Sequence, residues 1–346
     1  MVTVGSDSHK RTHTLAAIDE LGREVGILTV SATDQGHLEA VRWSSRWPER
    51  QWALEDCRQL SRRLESDLLA AGECVLRVPP KLMVGSRKSA RTRGKSDPID
   101  ALAVARAALR EPGLPKARLE GQIRELRLLV DHRDDLVQER TRIQNRLRWL
   151  LHELDPEFIV VGGTLDRKHV LKRVDCWLSD RVSVAGSIAR SLVARTQELC
   201  LEIGRLERDL QKRVEALAPD LLTLVGCGPL GAAKLMAETA GVDRFRSSSC
   251  YARHNGSAPI PVWSGNEQRF RLNAGGNRQL NAALHRIAIT QIRMHPPAIA
   301  YMAKRKARGN SRKEALRALK RHISDAVFNL LPRSNAVPTA SIQDAA

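Results

Sequence analysis

Residues 2–30 read VTVGSDSHKRTHTLAAIDELGREVGILTV and contain three β-favouring runs in quick succession. The runs are Val2–Gly5, Thr12–Ile18 and Val25–Val30, and polar residues separate them. Short apolar and β-branched runs bounded by turn-forming residues are typical of strands. Three such runs with short connections predict an antiparallel meander.

The remainder of the first 112 residues alternates strands with helices. Further β-favouring runs lie at Gln51–Glu55 and Cys74–Val78, with helical patterns at about 34–47 and 57–72 and another helix after Asp97. Strands that alternate with helices favour a mixed sheet covered by helices. We therefore predict an α/β domain over residues 1–112.

Long helices follow over residues 113–218. Leu129, Leu136, Ile143 and Leu150 recur every seven residues, and a second apolar seam runs from Leu192 to Leu217. Heptad spacing of this kind is typical of coiled coils. The two helices can pair within one chain or between subunits. We favour pairing between subunits, because so long a polar-faced helix needs a partner.

Residues 219–335 are rich in glycine and in helical patterns, and we predict an all-helical domain there. Residues 224–235, LVGCGPLGAAKL, are similar to a helix-hairpin-helix element. Glycines in such a turn expose backbone N–H groups at a helix start, where a phosphate can bind. A plain turn between two helices is the alternative. Residues 336–346 are small and polar, which predicts a disordered tail.

The net charge of the chain is strongly positive. Its 57 Lys and Arg against 39 Asp and Glu give +18. Such a charge favours a polyanionic partner. No apolar run approaches the roughly 20 residues of a membrane span, and the N-terminus lacks a signal-peptide core. We therefore expect a soluble, cytoplasmic, nucleoid-associated protein without a membrane partner.

A basic run without any carboxylate precedes two closely spaced acids. Between residues 77 and 96 the cations are Arg77, Lys81, Arg87, Lys88, Arg91, Arg93 and Lys95. Asp97 and Asp100 then lie three residues apart at the start of a helix, so they share one helix face. Cations that attract phosphate beside metal-binding carboxylates indicate an enzyme that acts on a nucleic-acid backbone.

Two further acids complete a candidate metal site. Asp7 follows the first β-favouring run and Glu55 ends the fourth. Side chains at the ends of neighbouring strands can point into one cleft. Four carboxylates suit one or two Mg²⁺ ions, with Mn²⁺ as the alternative. Asp7, Glu55, Asp97 and Asp100 are therefore the predicted metal-binding and catalytic set.

Structural interpretations of the same residues remain open. Asp97 before Pro98 is typical of a helix N-cap, and Asp100 would then fall at the third position of a capping box. Asp56 follows Glu55 directly, although the strand register favours Glu55 as the ligand. We interpret His9 as an ordinary polar residue.

The order of these motifs resembles the DEDD-type transposases of the bacterial insertion-sequence family numbered one hundred and ten. The N-terminal domain of that family resembles the Holliday-junction resolvase RuvC, so the resemblance implies an RNase H/RuvC-like fold. The motifs that carry it are Gly5-Ser-Asp-Ser-His-Lys10, Gly94-Lys-Ser-Asp-Pro-Ile-Asp-Ala101, Gly226-Cys-Gly-Pro-Leu-Gly231, Asp243-Arg-Phe245, Gly256-Ser-Ala-Pro259, Ser264-Gly265 and Gly276-Asn-Arg-Gln-Leu280.

The resemblance also implies a nucleophile. Ser264 aligns with the family's proposed catalytic serine, which attacks a DNA phosphodiester and forms a covalent phosphoserine link. From the residues alone, a serine before Gly265 is ordinary turn chemistry. The resemblance further implies a bridge RNA encoded by the element, and a dimer or tetramer that works on donor and target DNA duplexes. The serine and the carboxylates would then form one composite site.

Further cations are candidates for contacts to the nucleic-acid backbone. They are Lys10, Arg87, Lys88, Arg91, Arg93, Lys95, Arg269, Arg271 and Arg278. The function predicted from the sequence is thus a Mg²⁺-dependent DNA transposase. One alternative is a structure-selective nuclease that uses the carboxylates and water without the serine. Another is a DNA-bridging protein without catalysis.

Overall fold

The computed structural model describes residues 1–55, 60–80, 82–83, 96–119, 121–265, 267–271, 273 and 275–333. The chain divides into two compact units, Met1–Leu119 and Glu120–Ala346. The predicted tail at 336–346 lies outside the described residues.

The first unit extends beyond the predicted boundary at residue 112. The backbone N–H of Arg77 donates to the Pro115 carbonyl at 2.9 Å, and the N–H of Ala117 donates to the Val75 carbonyl at 2.8 Å. The segment after 112 is therefore attached to the edge strand of the sheet, because it satisfies backbone groups there.

The first unit is built on a five-stranded mixed sheet, as the sequence predicted. Its strands are β1 (Val2–Ser8), β2 (Thr12–Ile18), β3 (Glu24–Ser31), β4 (Arg50–Glu55) and β5 (Val75–Val78). The strand order is β3-β2-β1-β4-β5. β1 to β3 pair antiparallel as the predicted meander, whereas β1–β4 and β4–β5 pair parallel. β1 extends past its predicted end, so Asp7 lies inside the strand.

Helices cover both faces of this sheet. The helices of the first unit are α1 (Asp34–Ser44), α2 (Arg62–Ala70) and α3 (Asp97–Arg110). One core cluster joins Val4 and Leu54 to α1 and α2, and another joins Ala53 to α3. Successive residues of a strand face opposite sides, so α1 and α2 cover one face and α3 covers the other.

A close backbone approach sets the position of α3 on β1. A Cβ atom built on Gly5 would lie 2.2 Å from the carbonyl oxygen of Ala101 and 2.5 Å from the backbone nitrogen of Ala105. Only glycine leaves room for this contact. The start of α3 lies one helical turn before Ala101, which places it over the carboxyl end of β1.

The second unit is mostly helical. Its helices are α4 (Gly121–Leu154), α5 (Lys168–Leu178), α6 (Val184–Leu217), α7 (Pro219–Thr223), α8 (Pro229–Thr239), α9 (Ser248–His254), α10 (Arg278–Met294), α11 (Pro296–Ala307) and α12 (Arg312–Leu330). Its main core joins Val130 of α4 and Val214 of α6 to Leu235, Leu284 and Val327 of the later helices. The predicted boundary at residue 218 therefore falls inside one compact unit.

The two long helices, α4 and α6, pair with each other inside one chain. Ion pairs cross between them at Arg133–Glu207 and Glu139–Arg195, where the second pair is 2.8 Å. From the first pair to the second, the residue number increases on α4 and decreases on α6, so the helices are antiparallel. The apolar seams are thus covered within the chain, whereas the sequence analysis had favoured pairing between subunits. The predicted dimer or tetramer stays a prediction. The need of a long helix for a partner no longer supports it, because α4 and α6 are partners within one chain.

The prediction of an all-helical C-terminal domain is wrong in one place. Strands β6 (Ile260–Ser264) and β7 (Glu267–Arg271) form an antiparallel hairpin. Gly265 follows β6 with a φ of +59°, a conformation that glycine adopts without strain. The hairpin was missed because Pro259, Pro261 and the neighbouring glycines obscure the strand pattern.

The helix-hairpin-helix prediction falls on the turn between α7 and α8. α7 has only 5 residues. The side-chain amide of Gln291 on α10 donates to the Val225 carbonyl in this turn at 2.9 Å. A phosphate-binding role for this turn stays a prediction.

None of the helices in the described part of the chain combines the length and hydrophobicity that a membrane span requires.

Candidate active site

Asp7 and Glu55 lie at matching positions on neighbouring parallel strands. The register pairs Gly5 with Ala53 and Ser6 with Leu54, and one further step brings Asp7 level with Glu55. Both acids lie two residues beyond positions that face α3, so they share that face of the sheet. The strand ends thus place the first two predicted ligands side by side.

The start of α3 brings the other two acids to the same place. Asp97 and Asp100 lie in the first turn of α3. The N-cap of this helix is Ser96, with Asp97 and Pro98 inside the helix, and Ser96 makes no capping bond with its side chain. The structure therefore does not support the alternative that Asp97 is the N-cap and Asp100 completes a capping box.

His9 connects the acids of the strand and the helix. Its Nε2 lies 3.1 Å from Oδ2 of Asp7 and 3.4 Å from Oδ1 of Asp97. One ligand atom from each of these three residues lies within 4.8 Å of the others. This spacing suits a single cation bound between them.

Negative charge is crowded into a partly buried space. The side chain of Asp7 is 14% exposed, and Asp100 is buried. Burial raises the pKa of Asp7, and the carboxylates of Asp100 and Asp97 raise it further, whereas His9 lowers it. Both raising effects penalise the ionised form. A divalent cation would relieve this penalty, and oxygen-rich ligand sets of this kind suit Mg²⁺ or Mn²⁺.

The sequence analysis missed His9 as a member of this site. Residues two apart in a strand face the same side. His9 lies two residues beyond Asp7, one residue past the end of β1, so the spacing Asp-x-His was the available signal.

The fourth acid, Glu55, is half-buried at the end of β4. Its neighbour Asp56 lies outside the described residues, as do the predicted DNA-contacting cations Arg87, Lys88, Arg91, Arg93 and Lys95. Lys10 is exposed directly after His9. Arg77, from the predicted basic run, is instead bound to Glu65 with two contacts of 2.7 Å.

Ser264 and its neighbouring cations lie in the second unit. Ser264 is the last residue of β6 and pairs in register with Glu267. The backbone of Arg269 pairs with that of Val262 on the same hairpin. Arg271 ends β7 and Arg278 begins α10, and the side chains of both are exposed. The serine therefore lies beside the turn of a hairpin, at the end of a strand.

A second cluster of possible metal ligands lies on the opposite face of the sheet. Asp34, His37 and Asp67 also offer ligand atoms within 4.8 Å of one another. Here each group already has a partner. Nδ1 of His37 is 2.5 Å from Asp67, and Asp34 is 2.5 Å from Arg63. Nε2 of His37 also lies 3.1 Å from Nε2 of His13. These contacts indicate a structural role.

Comparison with known protein families gives two matches that follow the chain in order. Residues 4–156 match the family DEDD_Tnp_IS110, described as a transposase. Residues 218–303 match the transposase family described as IS116/IS110/IS902. Together the two matches cover more than half of the chain, and they include the acid cluster and the Ser264 hairpin.

Individual relatives match along nearly the whole length. The chain is 26% identical to an uncharacterized protein of insertion element IS116 from Streptomyces clavuligerus, over 95% of this chain and 94% of that protein. It is also 26% identical to an uncharacterized protein of insertion element IS900 from Mycobacterium paratuberculosis, over 97% and 96%.

A weaker likeness exists to a solved structure. Thermus thermophilus RuvC in complex with a Holliday junction substrate is 16% identical, with 32% of this chain and 93% of that chain covered and a TM-score of 0.26. A score this low supports no statement about function, and the fold of the first unit rests on its own strand order.

Proposed function

This chain belongs to the DEDD transposase family of insertion element IS110, and we propose that it cuts and rejoins DNA with a divalent-metal carboxylate site and a serine nucleophile. The enzyme class, DNA transposase, follows from the family matches. The metal, the serine chemistry and the guide RNA are the parts proposed here.

The convergence of acids at the carboxyl end of β1 carries the proposal. Asp7, His9 and Asp97 offer ligand atoms within 4.8 Å of one another. Asp100 is near enough to raise the pKa of Asp7, and Glu55 follows from the register at the neighbouring strand end. A protein gains no stability from crowding like charges, so this arrangement has a functional explanation.

The four predicted acids would hold Mg²⁺ or Mn²⁺, with His9 beside Asp7 and Asp97. Such an ion, when bound, stabilises the negative charge that develops on a phosphodiester during cleavage. The residues themselves supply the frame. β1, β4 and α3 are regular elements, and the contact at Gly5 fixes the helix against the strand, so the ligands are positioned before any ion binds.

Ser264 is the proposed nucleophile. Its hydroxyl oxygen would form a bond to the phosphorus of a DNA phosphodiester while the bond from phosphorus to the departing DNA oxygen breaks. The proton of the serine hydroxyl ends on that departing oxygen, which becomes a hydroxyl. A second DNA hydroxyl would then attack the phosphorus of the phosphoserine and form the new phosphodiester. The bond from phosphorus to the Ser264 oxygen breaks, and the proton of the attacking hydroxyl returns to that oxygen. Support comes from the family resemblance and from the place of Ser264 beside a tight turn.

The metal proposal is tested by cleavage of the element's own DNA ends in Mg²⁺. Asp7→Asn should reduce the rate at least about a thousandfold, because it removes a ligand charge from the phosphoryl-transfer site. Asp34→Asn is the matched control, since Asp34 is an exposed acid of the other face, and it should cleave like the parent. Equal cleavage by both variants would reject the metal site.

The serine proposal is tested by a covalent protein–DNA product. The parent should give a band on a denaturing gel that carries labelled DNA, and Ser264→Ala should give none. If Ser264→Ala cuts DNA at the parent rate, the carboxylates act with water alone. In that case the structure-selective nuclease is the correct function.

The proposed partners are donor and target DNA duplexes, a bridge RNA and further copies of the chain. The net charge of +18 supports a polyanionic partner, and the resemblance supports the RNA. The protein is purified without nuclease. Sequencing of the bound RNA then tests the guide, and the mass of the purified complex tests the number of copies of the chain. A discrete RNA from the element is expected, and random cellular RNA would contradict the guide.

A further inference from the structure

The second unit contains a cavity of about 410 Å³ beside the hairpin that carries Ser264. Phe270 and Arg271 of β7 form one side. The end of α11, at Arg305, and α12, at Arg317 and Lys320, form another. A cavity of this volume accommodates a ligand the size of a nucleotide.

Positive charge dominates the lining of this cavity. Its cations are Arg271, Arg305, Arg317, Lys320 and Arg321, and its acid is Glu314. Glu314 is already engaged at the start of α12, where its carboxylate accepts hydrogen bonds of 2.8 Å from both the backbone N–H and the hydroxyl of Ser311. These bonds lower the pKa of Glu314, and Arg317 and Arg305 lower it further.

Two cations of the cavity have no ion pair among the described residues. No described carboxylate lies within ion-pair distance of Arg305 or Arg317, whereas Arg321 is paired with Asp325. Lys320 is partly buried, its Nζ donates to Oδ1 of Asn281 at 2.5 Å, and burial lowers its pKa. The free positive charge therefore lies at Arg305 and Arg317.

Two buried polar groups of the lining also lack partners. Nε of Arg305 and the hydroxyl of Ser257 are shielded from solvent and have no hydrogen-bond partner in the described part of the chain. Buried donors are nearly always satisfied. An anion in the cavity would satisfy both, because a phosphate oxygen accepts from an N–H and from a hydroxyl.

Part of the cavity wall is apolar. Pro259 and Phe270 contribute to it, and the Phe270 side chain is 61% exposed. An aromatic face beside cations is the arrangement that binds a single-stranded nucleotide, since the base stacks on the ring and the phosphate meets the cations. A small inorganic anion would leave this wall uncovered.

We propose that this cavity, hereafter the nucleotide pocket, holds an unpaired nucleotide of the DNA strand that the serine hairpin acts on. Arg305, Arg317 and Ser257 would bind its phosphate, and Phe270 would stack on its base. The assignment to DNA rests on the proposed function, because β7 lines the pocket and forms one hairpin with the strand that carries Ser264. Phe270 and Arg271 pair with Pro261 and Ile260, at the end of the hairpin opposite to Ser264. The nucleotide must be unpaired, because the faces of a base inside a duplex are already stacked on its neighbours.

Binding of a fluorescent oligothymidine to the full-length protein in EDTA tests the nucleotide pocket without catalysis. The double variant Arg305→Gln/Arg317→Gln should bind at least about tenfold more weakly, since two phosphate contacts are lost. The matched control, Arg312→Gln/Lys313→Gln, removes two exposed cations of α12 that do not line the pocket. The affinity of this control for oligothymidine should stay within about twofold of the parent's affinity.

A second variant separates the pocket from general charge. Phe270→Ala should weaken the binding of the single strand several-fold, because stacking needs an unpaired base. The binding of a duplex of equal length should be unaffected. Thermal unfolding of each variant establishes that it is folded. Equal losses in the pocket and control variants, or no loss in the pocket variant, would overturn the proposal. Tighter binding of oligouridine than of oligothymidine would overturn the assignment to DNA.

The outcomes also separate this proposal from the proposed function. Asp7→Asn should bind oligothymidine like the parent, since its defect lies in cleavage. If the pocket variants bind and cleave normally while Asp7→Asn fails to cleave, the nucleotide pocket is wrong and the metal site stands. If the pocket variants lose binding while Asp7→Asn cleaves normally, the reverse holds.

Discussion

The two faces of the N-terminal sheet differ in how their charged side chains are paired. On the face covered by α3, His9 lies between Asp7 and Asp97. Burial raises the pKa of Asp7, and the carboxylates of Asp100 and Asp97 raise it as well. On the face covered by α1 and α2, His37 lies between Asp67 and His13 with short contacts on both sides. Among the described residues, the first face brings three aspartates together with one histidine, whereas on the second face Asp34 pairs with Arg63 and Asp67 pairs with His37.

This difference separates a site from a scaffold. Buried polar groups that satisfy one another hold elements together, and the His37 contacts join α1, α2 and β2. Like charges held close together cost stability, and they persist where the chain needs them for binding. Both clusters contain ligand atoms within 4.8 Å, so spacing alone does not identify the metal site. We therefore base the proposed metal site on the crowding of Asp7, Asp97 and Asp100, which raises the pKa of Asp7.

The largest effect is expected from matched substitutions of one aspartate on each face. Asp97→Asn should reduce DNA cleavage about a thousandfold and leave the midpoint of unfolding in EDTA unchanged or higher, since repulsion decreases. Asp67→Asn should cleave like the parent and lose about 1 kcal/mol of stability, because His37 loses an ionic partner that is itself 44% exposed to solvent.

Cleavage rates and denaturant unfolding of the two proteins measure this pair of outcomes. The comparison fails if Asp67→Asn is the inactive protein, or if Asp97→Asn is the destabilised one. Either result would move the metal site to the other face.

A second prediction concerns the contact that builds the acid face. Gly5→Ala should cost about 3 kcal/mol or more of unfolding free energy, because its Cβ would lie 2.2 Å from the Ala101 carbonyl. Helix α3 must then move away from β1, and the acids separate, so cleavage should fall as well. The control is Gly204→Ala in the middle of α6, where the nearest atom to a new Cβ is 3.6 Å away.

Gly204→Ala should be neutral or stabilising, since alanine favours helix more than glycine does. Urea unfolding of both proteins provides the measurement. Parent-like stability in Gly5→Ala would mean that α3 does not lie on β1 as described.

The strands of the first unit were predictable because local sequence decides them. Thr12–Ile18 was predicted with its observed bounds, and the antiparallel order followed from the short connections. The sequence also predicted that Asp7 and the paired acids of α3 come together, and they do; their role in metal binding stays a prediction. Apolar runs bounded by polar turns are independent of the rest of the chain, which is why single-sequence reasoning captured them.

Other features depend on contacts that sequence patterns do not reveal. The role of His9 requires that α3 lie on Gly5, and a glycine in a strand does not by itself indicate a crossing helix. The pairing of α4 with α6 within one chain depends on the direction in which α6 returns. The β6–β7 hairpin exposes Trp263 and Phe270, so its strands lack the buried alternation that marks a core strand.

The smallest predicted effect is a pH dependence that belongs to the face covered by α1 and α2. His13 is buried, and its Nδ1 has no hydrogen-bond partner among the described residues. Burial, together with the neighbouring His37, His9 and Arg63, lowers its pKa from 6.5 to about 4. As the pH falls, His13 therefore takes up a proton near pH 6.5 in the unfolded chain but only near pH 4 in the folded chain. The stability that His13 contributes is complete above pH 6.5 and is lost as the pH falls toward 4.

Comparison of the parent with His13→Phe isolates this contribution, because His254 in the second unit has its pKa lowered to about 4 as well and remains in both proteins. Between about pH 7.5 and 5.5, the unfolding free energy of the parent should fall by roughly 1 kcal/mol more than that of the variant. Urea titrations at the two pH values give the difference directly. Parallel slopes would mean that His13 takes up its proton in the folded state. The face covered by α1 and α2 would then hold a charge of its own, and the contrast between the two faces would rest on the carboxylates alone.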